Sequence, residues 1–311
     1  SGKGGFGHFS SSTDYGKRQD TPEEFRQRFS DNIARINALI FDNGKECKAS
    51  NKDINEVLPE AKVDLAYFDP PYATEFSTTN YEKSYHFVEG LMTYWDGLTL
   101  VEGSKTHHYE TDHKTVTKAN ANEFFSTFLA SAKHIPNWLI SYRDHAHPNE
   151  GEMKDIISAS GMTSRMQSQQ HKYHISSKHS ENSVAMEHLF ICTKGTRSAK
   201  ADEDGHSPGV TARIEDNMVV LADSPLADDL DLLSCQAGMD PVKVTGFMGN
   251  KYVMLGWIER QLPKDAKTVV DAFSGGANVA YHFKRKGLKV IANDLLLFPY
   301  HVARAVVENS Q

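Results

Sequence analysis

The chain has 311 residues, 39% hydrophobic and 24% charged, with a formal net charge of −7. That length holds one large domain or two modest ones, and the composition is that of an ordinary globular protein rather than a disordered or fibrous one. No apolar run approaches the roughly 18 residues that cross a bilayer and no leader is recognisable, so the reading is a soluble cytoplasmic protein without a membrane partner.

Cys47, Cys192 and Cys235 are odd in number and lack a C-x-x-C pair, which reads as buried free thiols rather than a disulfide framework or a structural zinc site. The acidic total does not advertise nucleic acid, yet the charge is uneven. Acid is concentrated at 201–204 and 227–231, while the stretch from Arg165 to His179 holds Arg165, His171, Lys172, His174, Lys178 and His179 and no acid. That strip suits either a nucleic-acid contact or a solvated loop or edge strand.

In chain order, Thr21-Pro22-Glu23-Glu24 reads as N-cap, first-turn proline and capping-box glutamate. Phe25, Phe29, Ile33, Ile36 and Ile40 then follow at helical spacing until Asn43-Gly44 stops them, which predicts an amphipathic helix. A short strand near Glu46 to Ser50 is expected next, then the turn-like Asn51-Lys52-Asp53 and a buried strand Val63 to Phe68. Trp138 to Tyr142 and His188 to Cys192 read as further buried strands, with a helix from about Glu150 to Ser160 between them that Gly161 terminates. Residues 196–243, rich in Gly, Ser, Pro and acid, read as a connector or small subdomain. Regular pattern then resumes with a helix Lys251 to Leu262, a strand Thr268 to Ala272, a helix Asn278 to Lys286, a strand Leu288 to Ala292 and a helix Pro299 to Glu308. Alternating strands and helices imply an α/β sandwich around a mainly parallel sheet.

Two constellations carry chemistry. Asp69-Pro70-Pro71-Tyr72 closes the Val63 to Phe68 strand and puts a carboxylate, backbone carbonyls and an aromatic ring at one strand end. Prolines have no N–H and a fixed φ, so the carbonyls around them stay out of helix and sheet ladders and are free to accept from a flat amine; a plain surface turn is the competing account. In the second, Asp271-Ala272-Phe273-Ser274-Gly275-Gly276 is a strand running into a glycine turn that opens a helix, and Asn293-Asp294 closes the next strand about 20 residues later. That pattern suits an adenosine: backbone approaches the ligand at the turn and the later acid accepts from ribose hydroxyls. The glycines do not complete G-x-G-x-x-G and no P-loop is present, which disfavours a dinucleotide or a triphosphate. The histidines His107, His108 and His113 with Asp112 lack a strong zinc spacing and read as a polar loop, so no metal is assigned. Tyr85-His86 reads as packed aromatic.

Asp-x-Phe-Ser-Gly-Gly with a later Asn-Asp, and Asp-Pro-Pro-Tyr elsewhere on the same sheet, together resemble the S-adenosylmethionine-dependent DNA adenine (N6) methyltransferases of the DNA adenine methylase family. Phe247-Met248-Gly249-Asn250-Lys251 looks like that family's aromatic-x-Gly-x-Lys segment, and Lys52-Asp53-Ile54 resembles its Asp-Phe cofactor contact. The resemblance implies a Rossmann-like methyltransferase sandwich with a mainly parallel, seven-stranded sheet. The motif order departs from the family's: Asp-Pro-Pro-Tyr comes first and the cofactor turn last, so the fold reads as circularly permuted. Residues 1–195 would form the catalytic half, with room for a DNA-contacting insertion, and 244–311 the cofactor half of the same domain.

By the same resemblance, Asp69, Pro70, Pro71 and Tyr72 are the catalytic motif. Asp69 and the Pro70 carbonyl would hold the target amine, and Tyr72 would stack on a flipped base. S-adenosylmethionine is the implied cofactor, with Asp294 on the ribose hydroxyls, Asp53 on the adenine amine, Phe273, Gly275 and Lys251 at the methionine end, Phe247 as an apolar contact, and Asp271 and Ser274 in the same turn. Arg143, Arg165, Lys172 and Lys178 are the expected DNA contacts. The implied partners are DNA and a cognate restriction enzyme. Methylation of the cytosine N4 amine, or a non-catalytic DNA-binding subunit that keeps the fold, are the alternatives.

Overall fold

The computed structural model describes residues 21–74, 80–102, 108–111, 115–172, 184–194, 212–215, 218–221 and 241–310. Lys178, Cys235, His107, Asp112, His113 and both acidic runs lie outside them, as does most of the expected connector.

The six strand runs read from the sequence, joined by a seventh over Met162–Lys172, assemble into one seven-stranded sheet. Its strands are β1 (Lys48–Ser50), β2 (Leu65–Phe68), β4 (Asn137–Arg143), β6 (Met162–Lys172), β7 (Val184–Lys194), β10 (Thr268–Asp271) and β11 (Lys289–Asn293), in the spatial order β1-β11-β10-β2-β4-β7-β6. Short antiparallel pairs form outside it, β3 (Ala73–Thr74) with β5 (Ala146–His147) and β8 (Ala212–Glu215) with β9 (Met218–Leu221). In the main sheet β7 alone runs against its neighbours; the other strands are parallel. The two strands nearest the C-terminus, β10 and β11, sit in the middle of the sheet between β1 and β2, which is the spatial form of the permuted motif order.

All four residues of β2 are buried, because a parallel strand with both faces covered alternates between two cores rather than between core and water. Leu65 and Tyr67 face one layer, with Phe283 and Ala280 of α7 (Asn278–Arg285), Ile258 of α6 (Leu255–Glu259) and Val306. Ala66 and Phe68 face the other, with Leu58 of α2 (Ile54–Glu60), Phe125 and Phe128 of α4 (Ala121–Ser131) and Ile157 of α5 (Glu150–Ala159). Cys47 and Cys192 are buried free thiols, and burial pushes the Cys192 thiol up to about 12. No helix among the described residues is long and apolar enough to cross a membrane.

Three expectations change. The helix α1 (Pro22–Asn37) forms with the capping box intact, but Phe25, Phe29 and Ile33 are 63%, 59% and 46% exposed. Its C-terminal end is anchored, through Ile36 against the core and Arg35 donating to the carbonyls of Lys243 and Val244, while the apolar stripe of its first three turns stays exposed. The helix expected from Lys251 to Leu262 is shorter, a 3₁₀ turn Tyr252–Met254 followed by α6, because Lys251 is drawn out of helical use by the contacts described below. The last helix, α8 (Leu297–Ala303), starts two residues before Pro299, since the buried Glu89 of α3 (Tyr81–Thr93) accepts from the otherwise unpaired amides of Leu297 and Phe298. It continues as a π-helical turn, Arg304–Glu308.

Candidate functional site

Asp69, Asp271 and Asn293-Asp294 all stand at the C-terminal ends of parallel strands, where an open α/β sheet builds its ligand crevice. They line one cleft of about 1270 Å³, open mouth included. The two motifs, two hundred residues apart in the chain, therefore share a wall, and Phe247, Lys251 and Asp53 line the same cleft.

The turn after β10 is built by close backbone approach. Gly275 has φ +47, and a Cβ there would come within 2.9 Å of the Phe247 ring; a Cβ on Gly276 would come within 2.2 Å of Thr245 Oγ1 and 2.8 Å of Phe247 Cβ. Phe247 cannot withdraw, since it is buried and stacked on Tyr85 with ring centroids 4.4 Å apart, while the Tyr85 hydroxyl accepts from the Met248 amide. Gly276→Ala should therefore cost about 1–3 kcal/mol, by overpacking. Chemical denaturation measures that loss.

Asp294 accepts from the amides of Gly275 (2.8 Å) and Leu296 (3.0 Å), which ties the turn to the end of β11. Burial nevertheless outweighs those bonds and raises its pKa to about 6. A raised carboxyl pKa means that the folded state holds the proton more tightly, so this group's contribution to stability is largest below about 4 and declines as pH rises through about 6. Relative to wild type, Asp294→Asn should gain stability across that window, by at most about 3 kcal/mol, in denaturation curves taken at both ends of it.

Asp271 is buried, and neither of its carboxylate oxygens has a hydrogen-bond partner among the described residues; the hydroxyl of Ser274 is in the same position. Burial, then the charges of Asp69 and Asp294, push the Asp271 pKa well up, and the amides of Ala280 and Phe273, outside hydrogen-bond geometry, offset this only weakly. A buried carboxylate and hydroxyl without partners, on the wall of a cleft, form an acceptor set suited to a cationic, hydrogen-donating ligand. Asp53 serves as N-cap of α2, accepting from the Asn55 amide while lining the cleft. The Phe273 ring packs on Phe128 and Phe124.

At the other end, the half-buried Asp69 lies beside the buried Lys251, whose ammonium donates to both carboxylate oxygens (2.8 and 2.9 Å), to the Tyr72 hydroxyl (2.7 Å) and to the Gly249 carbonyl (3.1 Å). Lys251 thus sits on the Asp-Pro-Pro-Tyr motif while lining the same cleft as Phe273 and Gly275. Burial raises the Asp69 pKa, and Lys251 pulls it back. Pro70 is buried, while Pro71 and Tyr72 face the cleft. The Tyr72 ring meets Tyr142 edge-on at 5.3 Å.

Sequence reasoning missed Glu187. It is fully buried on β7, with Oε1 2.7 Å from the Tyr72 hydroxyl, 2.9 Å from that of Ser141 and 3.4 Å from the Lys251 ammonium. The available signal was an acid directly before the apolar run from His188 to Cys192. Tyr81 and Asn80 also line the cleft without having been singled out, whereas Tyr85 and His86 are packed, as expected.

The expected DNA contacts are scattered. Arg143 ends β4, at the same edge of the sheet as Asp69, with its Nε 3.9 Å from Asp144. Arg165 lies part-way along the edge strand β6, paired with Ile191 and donating to Gln261, away from the cleft. Lys172 ends β6, and Lys178 is outside the described residues. The basic strip thus begins as an edge strand.

The modification methylase StsI of Streptococcus sanguinis is 27% identical over 263 residues, covering 82% of this chain and 35% of the relative. The Type II methyltransferase M2.HphI of Haemophilus parahaemolyticus is 27% identical over 165 residues, covering 53% and 45%. The chain thus spans less than half the length of these curated relatives. Among solved structures, the M1.HpyAVI–SAM complex aligns with TM-score 0.42 at 11% identity, covering 84% of this chain and 99% of that one. TTHA0409 of Thermus thermophilus, complexed with S-adenosyl-L-methionine, aligns with TM-score 0.43 at 11% identity, covering 84% and 94%. Both are too distant to bear on mechanism. The sequence profile of one family matches residues 7–141 and 247–311, taking in both motifs and leaving out the segment between β4 and Phe247, and on that match the chain belongs to the D12 class of N6 adenine-specific DNA methyltransferases.

Proposed function

We propose that the chain transfers a methyl group from S-adenosylmethionine to the exocyclic N6 amine of an adenine flipped out of DNA. The observation that carries this reading is one cleft shared by Asp69 at the end of β2, by Asp271, whose carboxylate oxygens have no hydrogen-bond partner among the described residues, at the end of β10, and by Asp294 at the end of β11. Asp271 would hold the cofactor's ammonium, Asp294 its ribose hydroxyls and Asp53 its adenine amine, with Phe247 and Gly275 shaping the turn around it. When bound, S-adenosylmethionine supplies a sulfonium methyl open to in-line attack.

The protein's share is positioning. The adenine amine is a poor nucleophile, because its lone pair is delocalised into the ring. Asp69 and the Pro70 carbonyl would accept its two hydrogens and favour the tetrahedral nitrogen that attack requires. Lys251 currently fills the Asp69 acceptors and would give them up to the base. Tyr72 would cover the base face, and stacking of roughly 1–3 kcal/mol would offset part of the cost of unstacking it from the duplex. Arg143, at the same edge, is the proposed phosphate contact.

The test is incubation with labelled S-adenosylmethionine and unmethylated genomic DNA, followed by digestion and identification of the labelled nucleoside. Label in N6-methyladenine supports the reading; label in N4-methylcytosine, or none, sinks it. Because the curated relatives are a modification methylase and a Type II methyltransferase, we extend the proposal to a protective role beside a restriction enzyme. DNA from cells expressing the active protein should then resist an endonuclease that cuts at the methylated site.

A further inference from the structure

We propose that Glu187 is a positioning residue for methyl transfer, one that takes up the Tyr72 hydroxyl and the Lys251 ammonium so that the acceptors of Asp69 are left for the target amine. The inference rests on the adenine-methylation reading above.

The topology brings Glu187 to this place. Since β7 alone runs against the other strands, it enters the sheet at the edge where β2 and β4 finish, and Glu187 pairs with Arg143 at the last residue of β4. A residue near the start of β7 therefore reaches the catalytic loop, whereas one near the start of any parallel strand would lie at the far edge. Ser141, fully buried on β4, donates to Oε1 and fixes the carboxylate from the side.

The hydrogen-bond arithmetic gives this carboxylate its task. Tyr72 has one hydroxyl hydrogen and, among the described residues, two carboxylates in range, Glu187 at 2.7 Å and Asp69 at 2.9 Å, while Lys251 donates to the hydroxyl oxygen. If the hydrogen goes to Asp69, it occupies an acceptor that the target amine needs. Donation to Glu187 frees that acceptor and fixes the tilt of the ring. Glu187 also lies 3.4 Å from the Lys251 ammonium, so Lys251 can release Asp69 to an incoming base without being left buried and unpaired. Removing Glu187 takes away the acceptor that competes with Asp69 for the Tyr72 hydroxyl and the Lys251 ammonium, a misplacement that costs turnover and leaves the cofactor turn untouched.

The experiment is labelled methyl transfer to unmethylated genomic DNA at saturating DNA and cofactor, with cofactor affinity measured separately by calorimetry. Glu187→Ala should lower turnover about 10–100-fold with cofactor Kd within twofold of wild type. Glu187→Gln, which keeps an acceptor for Tyr72 and Ser141, should recover most of the loss. In a Tyr72→Phe background, Glu187→Ala should cost clearly less than in wild type, since the share of its role that runs through the Tyr72 hydroxyl is already gone while the share that runs through Lys251 remains. Glu187→Asp keeps the buried charge but withdraws it by one methylene; it should lose about tenfold, and it reads the role if the alanine variant does not fold. Wild-type turnover in Glu187→Asp and Glu187→Ala, full additivity with Tyr72→Phe, or an equal loss of cofactor affinity would each overturn the positioning role while leaving the methyltransferase reading in place. Absence of transfer by the wild type itself would overturn both.

Discussion

Asp69→Ala should lower methyl transfer to adenine by about 10²–10³-fold while cofactor Kd stays within a few-fold of wild type. The separation follows from the sheet. Asp69 ends β2, whereas the acceptors proposed for the cofactor end β10 and β11 and are tied to each other, Asp294 to the Gly275 amide. Alanine removes the carboxylate that would hold the amino hydrogens, and the lost interaction is one made in the transition state, so turnover rather than cofactor binding should register it. The fold should survive. The Lys251 ammonium keeps the Gly249 carbonyl and lies 3.4 Å from Glu187, so the substitution does not strand a buried charge. Asp69→Asn separates shape from charge: it keeps one carbonyl acceptor, turns the other position into a donor, and should fall between alanine and wild type. Turnover of Asp69→Ala within tenfold of wild type in the labelled-cofactor assay would remove Asp69 from the chemistry.

Much of this site is legible in the sequence because buried parallel strands are short apolar runs, and the residues that end them face the crevice. Leu65 to Phe68 followed by Asp69, and Val269-Val270 followed by Asp271, announce both the strand and its functional end. The glycine turn is legible because Gly275 needs a positive φ and Gly276 has no room for a Cβ.

What the sequence does not show is which charge faces which. Lys251 and Asp69 are 182 residues apart, and their contact depends on β10 lying beside β2, a fact of sheet order that no local pattern encodes. Glu187 was invisible for a related reason: an acid at the head of an apolar strand reads as solvent-exposed until the strand is known to run antiparallel and enter beside the site. The exposed stripe of α1 shows the converse, since periodicity reports that a face is apolar and not that anything covers it. Arg165 makes the same point for charge. It belongs to the basic strip in sequence, yet its place part-way along β6 turns it to Gln261.

Asp271→Asn should change stability and cofactor binding in opposite directions. Without ligand, the wild-type carboxylate is buried near Asp69 and Asp294 and its oxygens have no hydrogen-bond partner among the described residues, so ionising it costs free energy that an amide does not incur. The pKa is raised in the folded state, which fixes the sign. Below the ordinary aspartate range both states are protonated and the two proteins should be about equally stable. As pH rises, the unfolded chain ionises first, the wild type loses stability, and the advantage of asparagine grows to about 1–3 kcal/mol near neutral pH. Cofactor binding should run the other way. The cationic cofactor supplies the missing counter-charge, and an amide cannot replace a charge-assisted hydrogen bond of about 1.5–3 kcal/mol, so affinity should fall about 10–100-fold. Denaturation curves at pH 4 and pH 8 with calorimetric titration of S-adenosylmethionine measure both effects. An Asp271→Asn protein that is less stable at pH 8 and binds the cofactor as tightly as wild type would show that Asp271 is a structural acid. The expected pairing would mark it as a group kept at a cost to stability for the ligand it receives.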